Sequence, residues 1–226
     1  MLLVAAPVMI VLRLIDRPRW LYPFCDWGGR VWLRACGARV AVRGLENLEK
    51  GESCVFISNH RSYLDTATLF VFAGKRIGLV AKKELLKIPI FGYGMGFVNI
   101  IAIDRTNPAK ARESMEKARE VLSEGYSFGV FAEGTRAMPG ELLPFKKGAF
   151  HLALQTGAPV IPVAIKNTDW MMGKKTGVLF PGTIEMVLLP KIETKNLNAE
   201  TDLTDLLKRV RGAIAEELAK ETENGK

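Results

Sequence analysis

The chain has 226 residues and is 48% hydrophobic, which suffices to bury the core of one domain with an appendage. Its formal net charge of +8 suits an anionic partner: phospholipid headgroups, nucleic acid, a phosphorylated substrate or an acidic carrier protein. Three widely spaced cysteines and two histidines fit neither a disulfide framework nor a metal site, and we interpret Cys25, Cys36 and Cys54 as reduced, buried thiols.

The first 43 residues combine positive charge with tryptophan. Seven arginines stand against two aspartates there, and Trp20, Trp27 and Trp32 are interleaved with them. This mixture is typical of a segment that lies in a membrane interface. The apolar run 1–12 falls short of the roughly 17–25 residues that a spanning helix needs. We therefore predict a pair of N-terminal helices over 1–37 that associates with the cytoplasmic face of the cell membrane, monotopic or peripheral rather than spanning.

The apolar run is a poor secretory signal, because no Lys or Arg precedes it and no small-residue cleavage site follows it cleanly. Two other interpretations of the segment stay open. Residues 1–36 could instead be two core helices of a soluble domain, although helices rich in Arg and Trp are unusual in a core. A chain truncated at its start is the other alternative.

Short β-like runs alternate with helical runs along the rest of the chain. The strand candidates are 39–43, 54–58, 77–81, 98–103, 127–131, 160–165 and 182–189. Several are apolar on both faces, as a sheet covered by helices on both sides requires. The pattern predicts an α/β domain over 38–226 with a central mixed, largely parallel sheet of about seven strands. Packing helices are expected over 64–73, 108–124 and 202–220.

A histidine and an aspartate follow the second strand candidate. His60 stands where α/β folds commonly expose reactive groups, and Asp65 comes five residues later. The two side chains can meet only if His60 lies on the loop and Asp65 in the first helical turn, with Ser62 as helix cap. The carboxylate would then hold one ring nitrogen and leave the other to accept a proton from an alcohol. Alternatively, Ser62 and Asp65 form only a capping box, and His60 is a polar loop residue.

A second polar cluster follows the strand candidate 127–131. Its members are Glu133, Gly134, Thr135 and Arg136. Glycine lets a phosphate approach the backbone, and arginine recognises phosphate oxygens in a bidentate, permanently charged way. The cluster predicts a phosphate-binding loop. The alternative is a polar connection in which Glu133 and Arg136 form a surface ion pair of little energetic weight.

Arg105 places a further cation where a strand candidate leaves the sheet, with Asp104 as an alternative ion-pair partner. Together the basic loops would attract a phosphorylated acceptor or the phosphates of a donor. The sequence has no Gly-x-Ser-x-Gly elbow and no recognisable Cys/His nucleophile, so direct attack by a substrate hydroxyl is the economical route for any group transfer. We interpret His151 as structural.

Four blocks, in order and spacing, resemble the 1-acyl-sn-glycerol-3-phosphate acyltransferase family over roughly residues 40–190. They are Asn59-His60-x4-Asp65, Ala-Ile-Asp104-Arg105, Phe131-Ala-Glu133-Gly134-Thr135-Arg136 and Val160-Ile-Pro162-Val-Ala-Ile165. The third block departs from the family pattern at Ala132, where Pro is usual, and at Ala137, where Ser is common. These departures put in doubt the rigidity of that loop and one hydrogen bond.

The resemblance implies that His60 deprotonates the acceptor hydroxyl and that Asp65 orients and charges His60. The implied binding residues for the acceptor phosphate and glycerol are Arg105, Glu133, Gly134, Thr135 and Arg136. Among these, Glu133 is expected to hydrogen-bond or position other groups rather than to contact phosphate. The fourth block would line or support the acyl site.

The implied reaction moves a fatty acyl group from acyl-CoA or acyl carrier protein to the sn-2 hydroxyl of lysophosphatidic acid, giving phosphatidic acid. It requires no cofactor and no metal. One alternative keeps this chemistry and changes the acceptor to another lysolipid or to glycerol 3-phosphate. A second alternative is a non-catalytic protein that binds an anionic membrane surface through its N-terminal segment. Nucleic acid is not an expected partner, because that segment is too apolar and no reader motif occurs.

Overall fold

The computed structural model describes residues 11–12, 14–15, 20–87, 95, 98–103 and 108–220. The strands are β1 Ala38–Arg43, β2 Val55–Ser58, β3 Ile77–Lys82, β4 Ile100–Ile103, β5 Ser127–Phe131, β6 Val160–Lys166 and β7 Gly182–Leu188. The helices that pack around them are α1 Leu21–Ala35, α2 Leu64–Phe72, α3 Pro108–Ser123, α4 Gly148–Thr156, α5 Thr168–Met172 and α6 Leu203–Ala219. Each strand candidate and each expected packing helix is present, with ends displaced by at most two residues.

The strands form one sheet in the order β1-β7-β6-β2-β5-β3-β4. Neighbouring strands are parallel except β6 and β7, which are antiparallel. The prediction of a mixed, largely parallel sheet of about seven strands is therefore confirmed. Because β1 and β7 run against the other five, their first residues lie at the same edge as the carboxyl ends of β2, β5 and β6. This shared edge is called the carboxyl edge below.

Two apolar layers cover the two faces of the sheet. Strands β2 and β6 are buried at every position, which explains why their sequences are apolar without alternation. Neighbouring residues of β2 enter opposite layers: Phe56 joins the layer under α1 and α2, and Ile57 joins the layer under α3, α4 and α6. The buried centre of the sheet thus provides a rigid base for the loops at the carboxyl edge.

Helix α1 packs one face on the domain and exposes the other. The Tyr22 hydroxyl donates to the carbonyl of Ile77 (3.1 Å) and accepts from its N–H (2.7 Å), and the ring stacks on Phe70. Burial raises the pKa of Tyr22 to about 12. The opposite face exposes Trp27 and the preceding cap residue Trp20, whereas Trp32 lies nearer the packed face and is 37% exposed. Helix α1 therefore combines a core-packing face with an aromatic exposed face, and the division into 1–37 and 38–226 stays a prediction.

Most of the first predicted N-terminal helix lies outside the described residues, which omit 1–10, 13 and 16–19. Among the described residues, no helix has the length and apolar character needed to cross a bilayer. All three cysteines are free; Cys36 and Cys54 are buried, whereas Cys25 is only half-buried, so the prediction of a buried thiol is too strong there. Burial nevertheless raises the pKa of each thiol, to about 11 for Cys25.

Candidate active site

The loop between β2 and α2 brings His60 and Asp65 into contact. His60 Nδ1 lies 2.9 Å from Asp65 Oδ2. His60 is on the loop and Asp65 is in the first turn of α2, which is the arrangement that the five-residue spacing requires. The Asp65 side chain is fully buried and that of His60 is 16% exposed. The carboxylate therefore holds Nδ1, and Nε2 is the ring nitrogen left for an incoming group.

The same carboxylate also caps the start of α2. Asp65 Oδ2 accepts the backbone N–H groups of Arg61 (2.7 Å) and Ser62 (2.8 Å). The Ser62 hydroxyl oxygen accepts the N–H of Leu64 at 3.2 Å, although Tyr63 occupies the cap position itself. The interpretation of Asp65 as a capping residue alone is therefore wrong, because the same oxygen binds the imidazole and the backbone amides together. These amide bonds fix the carboxylate that faces His60.

His60 makes three further contacts with the end of β5 and the loop that follows it. Its ring stacks on Phe131, with ring centroids 4.2 Å apart. Its N–H donates to Glu133 Oε1 at 2.7 Å, and its carbonyl accepts the N–H of Ala137 at 2.8 Å. The backbone of His60 therefore depends on the loop 132–137, and its ring depends on the last residue of β5. The two motifs that the sequence separates by some seventy residues form one unit.

Glu133 is a buried clamp. Its second oxygen, Oε2, accepts the N–H of Leu143 at 2.8 Å, and the residue is only 2% exposed. Burial raises the pKa of Glu133, and the N–H donors of His60 and Leu143 offset that rise only in part. No ion pair joins Glu133 to Arg136 in the described part of the chain, so the alternative of a surface ion pair is wrong. The carboxylate binds backbone amides instead.

The turn after Glu133 carries the other predicted phosphate-binding residues to the surface. Gly134 has a φ of 70°, in the left-handed region where glycine is favoured, and its N–H donates to the carbonyl of Phe131 at 3.0 Å. Thr135 is exposed. The Arg136 guanidinium lies over the Tyr63 ring, 3.7 Å from its centroid. The structure thus places Arg136 beside the loop that carries His60, while Arg105 lies outside the described residues.

Asn59 ties the His60 loop to the fourth block. Its side-chain N–H donates to the carbonyl of Ile165 at 2.9 Å, and its side-chain oxygen accepts the N–H of Ile165 at 2.8 Å. The fully buried amide thereby continues the pairing of β2 with β6 beyond the end of β2. The fourth block supports the loop through this contact. In the sequence, the only sign of a role for Asn59 is that it directly precedes His60.

Arg61 and Asp169 form a second brace that the sequence did not indicate. Arg61 Nη1 lies 3.2 Å from Asp169 Oδ2, and both side chains are about nine-tenths buried. Arg61 Nε donates to the carbonyl of Glu141 at 2.8 Å, and Asp169 accepts the N–H of Gly140 at 2.9 Å. The pair therefore joins the His60 loop, residues 140–141 and α5. The 108 residues between the partners explain why no local pattern reveals them.

No group of His, Cys, Asp and Glu within the described residues could hold a metal ion. The arrangement offers instead a buried carboxylate paired with a partly exposed histidine, next to the half-buried Arg136. A hydroxyl placed at His60 Nε2 would lose its proton to the ring, and an anionic group of the same molecule could bind Arg136.

Comparisons with known proteins find similarity to acyltransferases. Residues 39–166 match a family model described as Acyltransferase. The chain is 33% identical over 207 residues to a 1-acyl-sn-glycerol-3-phosphate acyltransferase of Pseudomonas aeruginosa, covering 90% of this chain and 79% of that protein. It is 31% identical over 196 residues to a chloroplastic 1-acyl-sn-glycerol-3-phosphate acyltransferase of Brassica napus, covering 82% of this chain and 57% of that protein.

The fold is also similar to a solved structure. The crystal structure of the 1-acyl-sn-glycerophosphate (LPA) acyltransferase PlsC from Thermotoga maritima matches with a TM-score of 0.76 and 26% identity. The match covers 92% of this chain and 84% of that one. The chain spans only 42–61% of the length of several plant relatives, so it corresponds to part of those proteins.

Proposed function

This chain belongs to the 1-acyl-sn-glycerol-3-phosphate acyltransferase family, and on that premise we propose that it transfers a fatty acyl group from an acyl thioester to the sn-2 hydroxyl of lysophosphatidic acid. The product is phosphatidic acid. The observation that carries the proposal is the 2.9 Å contact between His60 Nδ1 and Asp65 Oδ2, made beside the turn that bears Arg136.

In the proposed reaction His60 is the general base. Nε2 takes the proton of the acceptor hydroxyl as the hydroxyl oxygen attacks the thioester carbonyl. Asp65 keeps the Nδ1–H tautomer in place and stabilises the imidazolium that forms. Collapse of the tetrahedral intermediate breaks the C–S bond, and the leaving sulfur takes the proton back from His60. These proposed steps need no covalent acyl-enzyme, no cofactor and no metal.

The acceptor phosphate is proposed to bind at Arg136. Stacking on Tyr63 occupies one face of the guanidinium and leaves its N–H edge for bidentate contact with phosphate oxygens. Gly134 and Thr135 form the turn that presents it, and Glu133 positions this turn against His60. Arg105 is proposed as a second cation for the same phosphate. These assignments keep Glu133 as a positioning residue rather than a phosphate ligand.

The donor and the setting complete the proposal. Acyl-CoA and acyl carrier protein are both anionic, so the basic loops suit either donor. The exposed tryptophans of α1 are proposed to lie in the interface of the cytoplasmic face of the cell membrane, where a lysolipid acceptor resides.

The test is acyl transfer by vesicle-bound protein from a labelled acyl thioester to a panel of acceptors. The panel contains lysophosphatidic acid, lysophosphatidylcholine, lysophosphatidylglycerol and glycerol 3-phosphate, with each reaction supplied with acyl-CoA or acyl carrier protein as donor. We expect turnover selective for lysophosphatidic acid. Faster turnover of another acceptor would overturn the assigned substrate, and an absence of transfer to every acceptor would overturn the enzyme proposal.

A further inference from the structure

A second exposed apolar cluster lies on the segment between β6 and β7. Its members are Trp170, Val178, Leu179 and Phe180, each between 45% and 62% exposed, and we call it the β6–β7 patch. The rings of Trp170 and Phe180 stack with centroids 5.6 Å apart. The N–H of Phe180 donates to the carbonyl of Met171 at 2.9 Å, which fixes the loop against α5. These large apolar side chains therefore form one solvent-exposed cluster rather than isolated exposed residues.

The patch adjoins the candidate active site. An isolated β-bridge pairs Ser62 with Gly173, and the Ser62 hydroxyl donates to the carbonyl of Met172 at 2.7 Å. The Lys174 ammonium group donates to the carbonyl of Arg136. The segment that bears the patch therefore touches both the loop of His60 and the turn proposed to bind phosphate.

The patch also adjoins the end of α1. Strands β1 and β7 both begin at the carboxyl edge, and the N–H of Gly182 donates to the carbonyl of Gly37 at 3.1 Å. Pro181 packs so closely that a Cβ on Gly37 would lie 2.6 Å from its ring. Gly37 directly follows the cap of α1, whose last turns expose Trp32. The exposed aromatic face of α1 and the β6–β7 patch thus lie on either side of this junction.

The positive charge beside the patch indicates an anionic binding partner. Lys174 and the exposed Lys175 flank the apolar residues, and no acidic residue occurs between positions 170 and 182. Asp169, the nearest carboxylate before the patch, is paired with Arg61. Exposed Trp, Phe and Leu next to lysines are the composition that enters the headgroup region of an anionic bilayer.

We propose that the β6–β7 patch is a second membrane-contacting surface, which enters the interface of an anionic bilayer beside the active site. With α1 it gives the domain two contacts, so that the carboxyl edge of the sheet faces the lipid. A lysolipid could then bring its headgroup to His60 and Arg136 while its acyl chain stays in the bilayer. Only this last consequence rests on the proposed function; membrane contact itself does not.

The direct test measures partitioning of Leu179→Glu on phosphatidylcholine vesicles with and without phosphatidylglycerol. Its matched control is Leu45→Glu, because Leu45 has the same 45% exposure and follows the end of β1, at the opposite edge of the sheet. We expect Leu179→Glu to weaken binding to the anionic vesicles by about tenfold or more, from the lost burial of one leucine. Leu45→Glu is expected to stay within about twofold of wild type. Equal binding by the two variants would overturn the proposal.

Two further measurements distinguish membrane contact from self-association and from binding of acyl carrier protein. Lys175→Glu should weaken binding only to vesicles that contain phosphatidylglycerol, and more strongly at low salt. Trp170 becomes the only tryptophan when Trp20, Trp27 and Trp32 are replaced by Phe, which keeps aromatic rings on α1. Emission of this protein should shift to the blue when it is bound to anionic vesicles, and an unshifted emission of the vesicle-bound protein would contradict the proposal. If Leu179→Glu abolishes self-association or binding of acyl carrier protein and leaves vesicle binding intact, the patch belongs to that partner and the proposal is wrong.

The catalytic consequence is tested with two acceptors. With lysophosphatidic acid embedded in vesicles, Leu179→Glu should lose most of its turnover. With a short-chain, water-soluble lysophosphatidic acid it should match wild type within about twofold, because the change leaves His60 and Arg136 in place. Failure of wild type to acylate either acceptor would refute the proposed function without touching the vesicle-binding result, so the two failures are distinguishable.

Discussion

Replacing Glu133 by Gln removes half of the clamp that holds the His60 loop. The wild-type carboxylate accepts one backbone N–H on each oxygen, from His60 at 2.7 Å and from Leu143 at 2.8 Å. A Gln side chain has one acceptor oxygen, so its amino group must face the second N–H, donor against donor. A buried donor without an acceptor costs about 1–3 kcal/mol. Burial of the charged carboxylate is itself unfavourable, as the raised pKa of Glu133 shows. The neutral Gln side chain avoids this cost, which offsets part of the loss.

The expected net loss for Glu133→Gln is therefore smaller than that cost, about 1–2 kcal/mol. It corresponds to a fall in Tm of about 2–4 °C for each kcal/mol in a domain of this size. Glu133→Ala should lose more, because both N–H groups lose their acceptor. Urea unfolding followed by circular dichroism measures the free energy of unfolding, and acyl transfer measured on the same samples should show a lower kcat, because the backbone of His60 shifts.

The matched control is Glu141→Gln. Glu141 belongs to the same loop but is exposed, and its only carboxylate contact among the described residues is the N–H of Met138 at a longer 3.3 Å. Its replacement should change the free energy of unfolding by no more than about 0.5 kcal/mol. If Glu133→Gln matched this control in both stability and kcat, the clamp would have no role in holding His60 and the reasoning would be refuted.

Two further predictions concern other contacts. Tyr63→Leu removes the ring under Arg136, so KM for lysophosphatidic acid should rise by about three- to tenfold with little change in kcat, while Tyr63→Phe keeps the stack and the wild-type KM; equal KM values for the two variants would contradict this role. Burial opposes ionisation of Glu217, but hydrogen bonds from Lys220 and Lys166 outweigh it and lower its pKa. The stability that Glu217 contributes over Glu217→Gln should therefore be present above pH 4.5 and fall as the pH drops further, and a difference independent of pH in urea unfolding would refute this.

The strands and the two polar loops could be predicted from the sequence because their signals are local. Apolar runs bounded by turn residues give the strands, and His60 and Asp65 lie within one loop and one helical turn. The five-residue spacing even states the condition for their contact, since a continuous helix would separate the side chains.

The braces around the site could not be predicted, because their partners are distant in sequence. Asn59 binds Ile165 across 106 residues, and Arg61 binds Asp169 across 108. Such contacts depend on the strand order, in which β2 lies between β5 and β6, and no periodicity in the sequence encodes that order. The burial of Glu133 could not be predicted either, because it depends on the path of the loop to Leu143.

The β6–β7 patch shows a different limit. An apolar tripeptide such as residues 178–180 has the same composition in a buried strand and in an exposed loop. Only the folded structure shows that these side chains are 45–46% exposed, with Phe180 held by its N–H to Met171 and stacked on Trp170. Exposure of an apolar cluster is a property of the fold, and sequence patterns report it poorly.

If His60 accepts the proton of the acceptor hydroxyl, kcat for acyl transfer to lysophosphatidic acid should fall steeply in His60→Ala. The control is His151→Ala, which removes the other histidine of the chain, exposed on α4. We expect a loss of about 10²–10⁴-fold for His60→Ala, with vesicle binding retained, and a change within about twofold for His151→Ala. A His60→Ala protein that keeps kcat within about tenfold of wild type would show that His60 is not the general base.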